Sequence, residues 1–352
     1  MTDFEKLTDF SNMYAAYQKS LSGHRNSKRT VNFQYSALDN IILMVDDLRN
    51  KRYVLSPYQK YWITEPKPRM LQVGSFRDKV LERCLCDYVI LPKMKTVFIR
   101  NNFAGQTGKG TLFALNTLSS QLEEYYQQFG DDGFILKCDI SGFYYNITHD
   151  SVKRRIRNHF SDSEILRICD QIIDSTPGEV GLPLGNPTSQ DFALILLHDL
   201  DVMITSALGF EMYGRYVDDF YLIHHDREFL QDCLTRIEEH LMAIGLHLNQ
   251  KTQIVPIRKG IRFLGFHTYL TADGKVIRKL TGDNKRKEKK RLRKDIMLVS
   301  KGKMTVKKMN EKYGSWRNHA SHGNCFKLIQ SMDQYKEQLM IEYGIEEAIG
   351  CT

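Results

Sequence analysis

An Asp-Asp pair between two apolar runs constrains this chain more than any other feature. Tyr216-Val217-Asp218-Asp219 is preceded by Met212-Tyr213-Gly214-Arg215 and followed by Phe220-Tyr221-Leu222-Ile223. Aspartate is poor inside a strand and good in a turn, so the pattern predicts strand, tight turn, strand. Two like charges about 4 Å apart repel by about 4 kcal/mol at an effective dielectric of about 20, so carboxylates held together at a hairpin tip favour a cation there. By itself such a pair is more often an ordinary solvated turn.

A second acid changes the balance. Gly133-Phe134-Ile135-Leu136-Lys137-Cys138-Asp139-Ile140 reads as a short apolar strand ending in Asp139, with a further apolar stretch, Phe143-Tyr144-Tyr145, after it. Taken alone, Asp139 is a strand-end acid facing water. Two strands with acids at their ends can hold divalent cations between them. Mg²⁺ suits such oxygen ligands, since it takes one or two protein carboxylates per ion and completes its shell with water and substrate phosphate. Two ions roughly 3.5–4 Å apart form the clamp used in phosphoryl transfer. Asp139 and Asp218 are the expected bridging ligands and Asp219 the accessory one.

Five motifs in order carry a resemblance. Lys137 to Tyr144, the Gly181-Leu182-Pro183-Leu184-Gly185-Asn186-Pro187-Thr188-Ser189-Gln190 run, Tyr216 to Asp219, Gly245 to Thr252, and Phe263-Leu264-Gly265-Phe266 together resemble the palm motifs and primer grip of bacterial reverse transcriptases. This lineage includes group II intron, retron, defence-associated and diversity-generating enzymes. Glu65-Pro66-Lys67-Pro68-Arg69, Phe76-Arg77-Asp78-Lys79 and Phe103 to Thr111 look like the fingers of the diversity-generating group, and Ser315 to Asn324 looks like its thumb. Pro187 departs from the Leu usual in that group.

The resemblance implies an α/β (α+β) right-hand polymerase with an antiparallel-sheet palm, mixed helical fingers and a helical thumb. The expected domains are 1–130 (N-terminal extension and fingers), 131–270 (palm) and 271–352 (thumb and C-terminal helices). It implies RNA-directed DNA polymerisation with two Mg²⁺ ions, Mn²⁺ being a substitute. Asp139, Asp218 and Asp219 are the implied catalytic residues, and the Ile140 carbonyl is an implied fourth metal ligand. Lys67, Arg69 and Arg77 lie where fingers cations grip a triphosphate; the first two read otherwise as an exposed basic loop. Lys251 lies where the family has a lysine near the leaving pyrophosphate, a role that competes with that of a surface lysine at a strand start. Tyr144 matches the steric gate against a 2′-hydroxyl, with Phe143 and Tyr145 as competitors. Leu184, before Gly185, replaces the Gln that many reverse transcriptases carry, and Leu has no donor or acceptor. A nucleotide pocket formed by shape alone discriminates less well, so reduced fidelity is expected. Phe263, Leu264 and Gly265 are the implied primer grip.

The rest of the composition is permissive. The chain has 352 residues, 42% hydrophobic and 26% charged, with a formal charge of +8, which allows a polyanionic partner without requiring one. No apolar run approaches the roughly 18 residues of a membrane span, and no signal-peptide shape opens the chain, so a cytoplasmic protein without membrane partners is expected. The seven Cys have neither disulfide-frame nor zinc spacing. Lys285, Arg286, Lys289, Lys290 and Arg291 lie in a dense basic run, read as a nucleic-acid contact or else as a solvated helix face. His319 and His322 lack nearby Cys or acid partners in sequence, so packing or phosphate contact is preferred to a metal.

Apolar spacing predicts helices over much of residues 1–60, including Leu38, Ile41, Ile42, Val45 and Leu48 on one stripe. An extended basic segment follows Pro57. Helices are expected at 78–91, 111–129, 149–159, 162–174, 189–207 and 227–244, and from 282 onward. Strands near 251–256 and 261–269 are expected to complete the palm sheet. About 25 residues follow the thumb, which leaves no room for an appended ribonuclease H, endonuclease or maturase domain. The expected partners are an RNA template, primer, cDNA and dNTPs, with a structured noncoding RNA and a small accessory protein. Copying in a diversity-generating retroelement is the first role. An antiphage defence enzyme making cDNA or untemplated DNA is the second. A non-catalytic RNA-binding protein on a polymerase scaffold is the reading from a different class.

Overall fold

The computed structural model describes residues 1–22, 28–63 and 69–345. Among them nine strands occur: β1 (Gln59–Ile63), β2 (Arg69–Val73), β3 (Phe134–Asp139), β4 (Tyr213–Tyr216), β5 (Asp219–His224), β6 (Gln253–Pro256), β7 (Ile261–Phe263), β8 (Phe266–Leu270) and β9 (Val276–Leu280). They form a β1-β2 hairpin, a four-stranded sheet of order β4-β5-β3-β6 and a three-stranded sheet of order β7-β8-β9. The chain divides into two compact units, one of Met1–Gly110, Cys138–Leu222 and Glu228–Gln253, the other of Thr111–Lys137, Ile223–Arg227 and Ile254–Thr352.

The first unit begins with helices Asp3–Leu7, Phe10–Ser20, Lys28–Tyr35 and Ala37–Arg49. Thr2 and Glu5 form a capping box, and Asp9 caps the second helix through the Asn12 amide. Helix Ala37–Arg49 buries Ile41, Met44, Val45 and Leu48. That stripe differs from the expected one, for Leu38 and Ile42 are both 55% exposed. Met44 supplies the i+3 position that centres the buried face away from them. In the expected extended basic segment after Pro57, β1 is extended and pairs antiparallel with β2, Gln59 opposite Val73 and Ile63 opposite Arg69.

Ser75 caps helix Phe76–Cys84 through the Asp78 amide, and Val80, Leu81 and Cys84 face the core as their spacing requires. Helix Pro187–Leu196 starts at Asn186 with Pro187 in its first turn. There the missing N–H costs nothing and the fixed φ favours the helix, which gives Pro187 a local reason.

A buried ion pair anchors β4. Arg215 and Asp201 are both fully buried. Arg215 donates from Nε to Asp201 Oδ1 at 2.6 Å and from Nη2 to Oδ2 at 2.5 Å, and Tyr213 donates its hydroxyl to Oδ1 at 2.6 Å. The third guanidinium nitrogen donates to the Val217 carbonyl at 2.9 Å. Burial opposes the Arg215 charge, but Asp201 more than offsets this and raises its pKa above the usual arginine range. The Arg215 backbone is tied as well, donating to the Asn101 carbonyl at 2.9 Å and accepting from the Phe103 amide at 2.9 Å.

In the second unit the expected single strand at 261–269 is two strands, β7 and β8, with Phe263 opposite Phe266. Leu264 and Gly265 form a two-residue loop with φ of +48° and +87°, the signs of a type I′ turn. The chain therefore reverses at this point, and β7 and β8 pair with each other and with β9 instead of completing the four-stranded sheet. Arg278 of β9 is 8% exposed. It donates to the Leu115 carbonyl at 2.8 Å, the Ser119 hydroxyl at 2.6 Å and the His322 carbonyl at 2.7 Å, tying this sheet to helices Thr111–Phe129 and Val306–Ser321. Helix Gly282–Ser300 buries Glu288, Leu292, Asp295 and Ile296.

Removing one member of a buried ion pair strands the other charge and typically costs about 3–5 kcal/mol. Arg215→Met should lower the unfolding free energy by about that amount in urea titrations, and adding Asp201→Leu should recover part of the loss. A single variant as stable as the wild-type protein would contradict this role.

Candidate active site

The hairpin of β4 and β5 places its acids by register. Tyr216 pairs with Asp219, so Val217 and Asp218 form a two-residue loop. Val217 has φ +58°, a conformation that costs a β-branched residue roughly 1–3 kcal/mol. The Arg215 guanidinium on its carbonyl holds the peptide in place.

Asp139 is brought to this turn by backbone pairing. The Ile140 amide donates to the Asp218 carbonyl at 3.2 Å. On its other edge the segment accepts from Asn249 at the Asp139 carbonyl, 2.7 Å, and donates from Ser141 to the His247 carbonyl, 2.9 Å, around an antiparallel Ile140–Leu248 bridge. In an extended chain the N–H and C=O of one residue face the same edge, so the Ile140 carbonyl faces the Asp218 turn. Asp139, Asp218 and Asp219 are all half-buried.

Among the described residues no group of three or more His, Cys, Asp and Glu side chains is gathered closely enough to hold a metal ion by itself. Asp218 lies in the turn and Asp219 opens β5, so the two acids belong to different local structures. The oxygen-only donor set nonetheless fits a hard divalent cation that takes one or two carboxylates and draws the rest of its shell from substrate and water.

Tyr144 adjoins these acids. Gly142, at φ +54°, ends the extended run and starts helix Phe143–Asn146. Phe143 is buried and Tyr145 is half exposed. Burial, followed by the nearby Asp218 carboxylate, pushes the Tyr144 hydroxyl well above the usual tyrosine pKa. The Tyr144 carbonyl accepts from the Leu182 amide at 2.9 Å, and the Ile147 carbonyl accepts from Gly181 at 2.8 Å. Those two bonds seat the 181–186 loop beside Tyr144. Leu184 accepts from the Gln72 amide of β2 at 3.1 Å, and Gly185 has φ +114°, where L side chains are strained.

The expected cations are placed differently from one another. Lys67 lies outside the described residues. Arg69 begins β2 and is exposed. Arg77 stacks over Tyr53, 4.1 Å from the ring centroid, and donates to the Val54 carbonyl at 3.0 Å, so its guanidinium is engaged by the fold. Lys251 is exposed and its amide closes a turn on Asn249 Oδ1 at 3.1 Å.

In the second unit the Gly265 carbonyl accepts from Thr281 at 3.2 Å, and Phe263 is buried. His319 packs on Phe266 at 4.9 Å between ring centroids, in keeping with a packing role. The basic run is one amphipathic helix, Gly282–Ser300. Arg286 pairs with Asp283, Arg291 with Glu288 at 2.7 Å, and Lys289 lies 4.7 Å over the Tyr335 ring. Lys285 is half-buried and Lys290 exposed.

The sequence reading missed the buried acids under the site. Asp201, Glu82 and Asp191 are at most 5% exposed. No sequence signal marked them: Asp191, for one, stands between the polar Thr188-Ser189-Gln190 and the apolar Phe192-Ala193-Leu194-Ile195-Leu196, where an acid reads as an ordinary first-turn residue of the helix expected at 189–207.

Residues 63–268 match the family model described as reverse transcriptase (RNA-dependent DNA polymerase), a span of more than half the chain. The chain belongs to the reverse transcriptase family. The family's chemistry is nucleotidyl transfer, with two divalent metal ions as its general requirement. Among solved structures the chain is similar to telomerase from Candida albicans in complex with a fragment of telomeric RNA, at 15% identity and a TM-score of 0.54, over 84% of this chain and 56% of that one. It also aligns with apo telomerase from Candida tropicalis at 13% identity and a TM-score of 0.47, over 61% of this chain and 47% of that one. The first likeness shows a reverse-transcriptase fold, and this chain spans little more than half the length of that telomerase. Among the described residues no helix is long and apolar enough to cross a membrane.

Burial raises the Asp191 carboxyl to about 7, against a smaller opposing effect of a hydrogen bond with Cys86. The folded state therefore holds this proton more tightly than the unfolded chain. Its ionisation withdraws stability as pH rises from about 4 to about 7, on the order of 4 kcal/mol in all. Asp191→Asn should be more stable than the wild-type protein at pH 8 and lose that advantage near pH 4, as read by urea midpoints. A pH-independent difference would contradict it.

Proposed function

We propose that this reverse transcriptase copies a structured RNA into cDNA in a diversity-generating retroelement. The observation that carries the polymerase reading is the backbone pairing that seats Asp139 beside the strained Val217-Asp218 turn, with Tyr144 against Asp218. Asp139, Asp218, Asp219 and the Ile140 carbonyl would hold two divalent cations, Mg²⁺ in this reading. Those ions supply Lewis-acid stabilisation of the charge that develops on the reacting phosphate.

The protein's own contribution is positioning and electrostatics. The primer 3′-hydroxyl attacks the α-phosphate of a dNTP, the new P–O bond forms, and the bond to pyrophosphate breaks. Tyr144 excludes a 2′-hydroxyl, its ring being the one of the three neighbouring aromatics that is half-buried beside an acid. Lys67, Arg69, Arg77 and Lys251 are assigned to the triphosphate, and Phe263, Leu264 and Gly265 to the primer. The fingers, palm and thumb follow the boundaries 1–130, 131–270 and 271–352. Lys285, Arg286, Lys289, Lys290 and Arg291 are assigned to the nucleic-acid backbone.

Leu184 supports the diversity-generating role. Its side chain offers no hydrogen bond to an incoming base, and its backbone is held by Gln72. A nucleotide pocket without polar readout tolerates wrong pairs. A small accessory protein and a cytoplasmic setting complete this reading.

Primer extension on an RNA template tests it. Wild-type protein should incorporate dNTPs with Mg²⁺ or Mn²⁺, and Asp218→Ala should lose at least about 10³-fold in rate, as expected when an electrostatic anchor of the transition state is removed. Incorporation that is absent in the wild type, or unchanged in the variant, would overturn the assignment. Tyr144→Val should raise rNTP use relative to dNTP use by about tenfold or more, and unchanged sugar selectivity would remove Tyr144 from the gate.

A further inference from the structure

A buried carboxyl bonded to the nucleotide loop has no part in the chemistry above. Glu82 is 1% exposed on helix Phe76–Cys84. Its carboxyl accepts from the Asn186 side-chain amide at 2.7 Å and from the Thr188 hydroxyl at 2.6 Å. The Asn186 amide also donates to the Tyr58 hydroxyl at 2.7 Å. Asn186 occupies the N-cap of helix Pro187–Leu196, yet its side chain makes no capping bond. Asparagine at that position ordinarily caps its own helix. Here the side chain is turned to Glu82 instead. Two residues earlier, the Leu184 carbonyl takes the Gln72 amide of β2, and Gly185 between them has φ +114°.

We propose that Glu82 is a positioning residue for nucleotide binding. It anchors Asn186 and Thr188, so that the Leu184-Gly185 loop and the β2 backbone are held in one arrangement before a dNTP arrives. The inference rests on the polymerase reading for its functional consequence, but the anchor itself is a property of the fold. A loop whose conformation is set in advance binds its ligand without first losing conformational entropy. Glu82 faces Asp78 from its own helix, Tyr58 from the segment before β1, and Asn186 and Thr188 from the loop. Burial, partly offset by Thr188, pushes its carboxyl up to about 8. In its protonated form the carboxyl accepts from Asn186 through one oxygen and donates through the other to the Thr188 hydroxyl, which turns to accept, and Gln reproduces that form with its oxygen and its amide.

Amide hydrogen exchange on the full chain, paired with steady-state kinetics, tests the proposal. Glu82→Ala should speed exchange by about tenfold or more at the amides of Gln72, Leu184, Gly185, Asn186 and Thr188, leaving β4 and its Asp201 anchor unchanged. It should also raise the KM for dNTP about tenfold or more while kcat stays within about threefold, as expected when the two hydrogen bonds that order the loop are lost. Glu82→Gln should restore both. Thr188→Val removes one of the two hydrogen bonds without changing shape and should show part of the effect even if the alanine variant folds poorly. Unchanged exchange at these amides, exchange that rises evenly across the first unit, or a kcat loss at constant KM would each overturn the anchor. A wild-type chain that incorporates no dNTP would remove the polymerase reading, and the exchange pattern would still decide the role of Glu82.

Discussion

The candidate active site depends on one buried guanidinium. Arg215 satisfies both Asp201 oxygens and still has a donor for the Val217 carbonyl. An isolated buried charge is very costly, and a buried pair is tolerated only when its remaining hydrogen-bonding capacity is filled. Here that filling is the backbone of the acidic turn. The positive φ of Val217 persists because the surrounding bonds determine it more strongly than its own preference does. Asp218 is therefore presented by a strained peptide clamped from below, and Asp139 is registered against it by the Ile140 amide.

Bulky residues at positive φ mark two hairpin turns, the expected one at Val217-Asp218 and the unexpected one at Leu264-Gly265. Val217 and Leu264 share this feature, together with Lys51 after helix Ala37–Arg49. Strain of this kind gathers where a backbone must present a group in one orientation. In the second unit the Leu264-Gly265 turn is tied by Thr281 and packed by His319 near Phe266. Each turn is fixed by contacts within its own unit, the first by the Arg215 side chain and the second by the Thr281 backbone and the His319 ring.

Much of this was legible in the chain. The apolar runs around Asp218-Asp219 and before Asp139 gave the strands their places, because period and turn chemistry act locally. The helix expected at 189–207 was legible only in part: it starts two residues earlier, at Pro187, and ends at Leu196, with separate helical segments at His198–Val202 and Met203–Ala207. The split of 261–269 into β7 and β8 was not legible, since Leu-Gly is a weak hairpin signal beside Asn-Gly and only tertiary packing enforces the turn. The exposed Leu38 and Ile42 were misplaced because apolar spacing identifies a helical stripe without saying which overlapping stripe is buried. Glu82, Asp191 and Asp201 were invisible because a buried acid is defined by partners far away in sequence, such as Thr188, Cys86 and Arg215. Arg77 shows the converse: its position fits a triphosphate grip, and its guanidinium stacks on Tyr53.

The central claim is that the turn at Asp218 and the strand end at Asp139 form one seat for divalent cations. Counting Mn²⁺ ions by electron paramagnetic resonance, with an RNA template, a primer lacking its 3′-hydroxyl and a matched dNTP, measures that directly. The account predicts that the wild-type protein takes up two protein-dependent ions per complex and that Asp139→Asn takes up fewer while still binding the nucleic acid. Equal uptake by the two proteins, or none by the wild type, would contradict it.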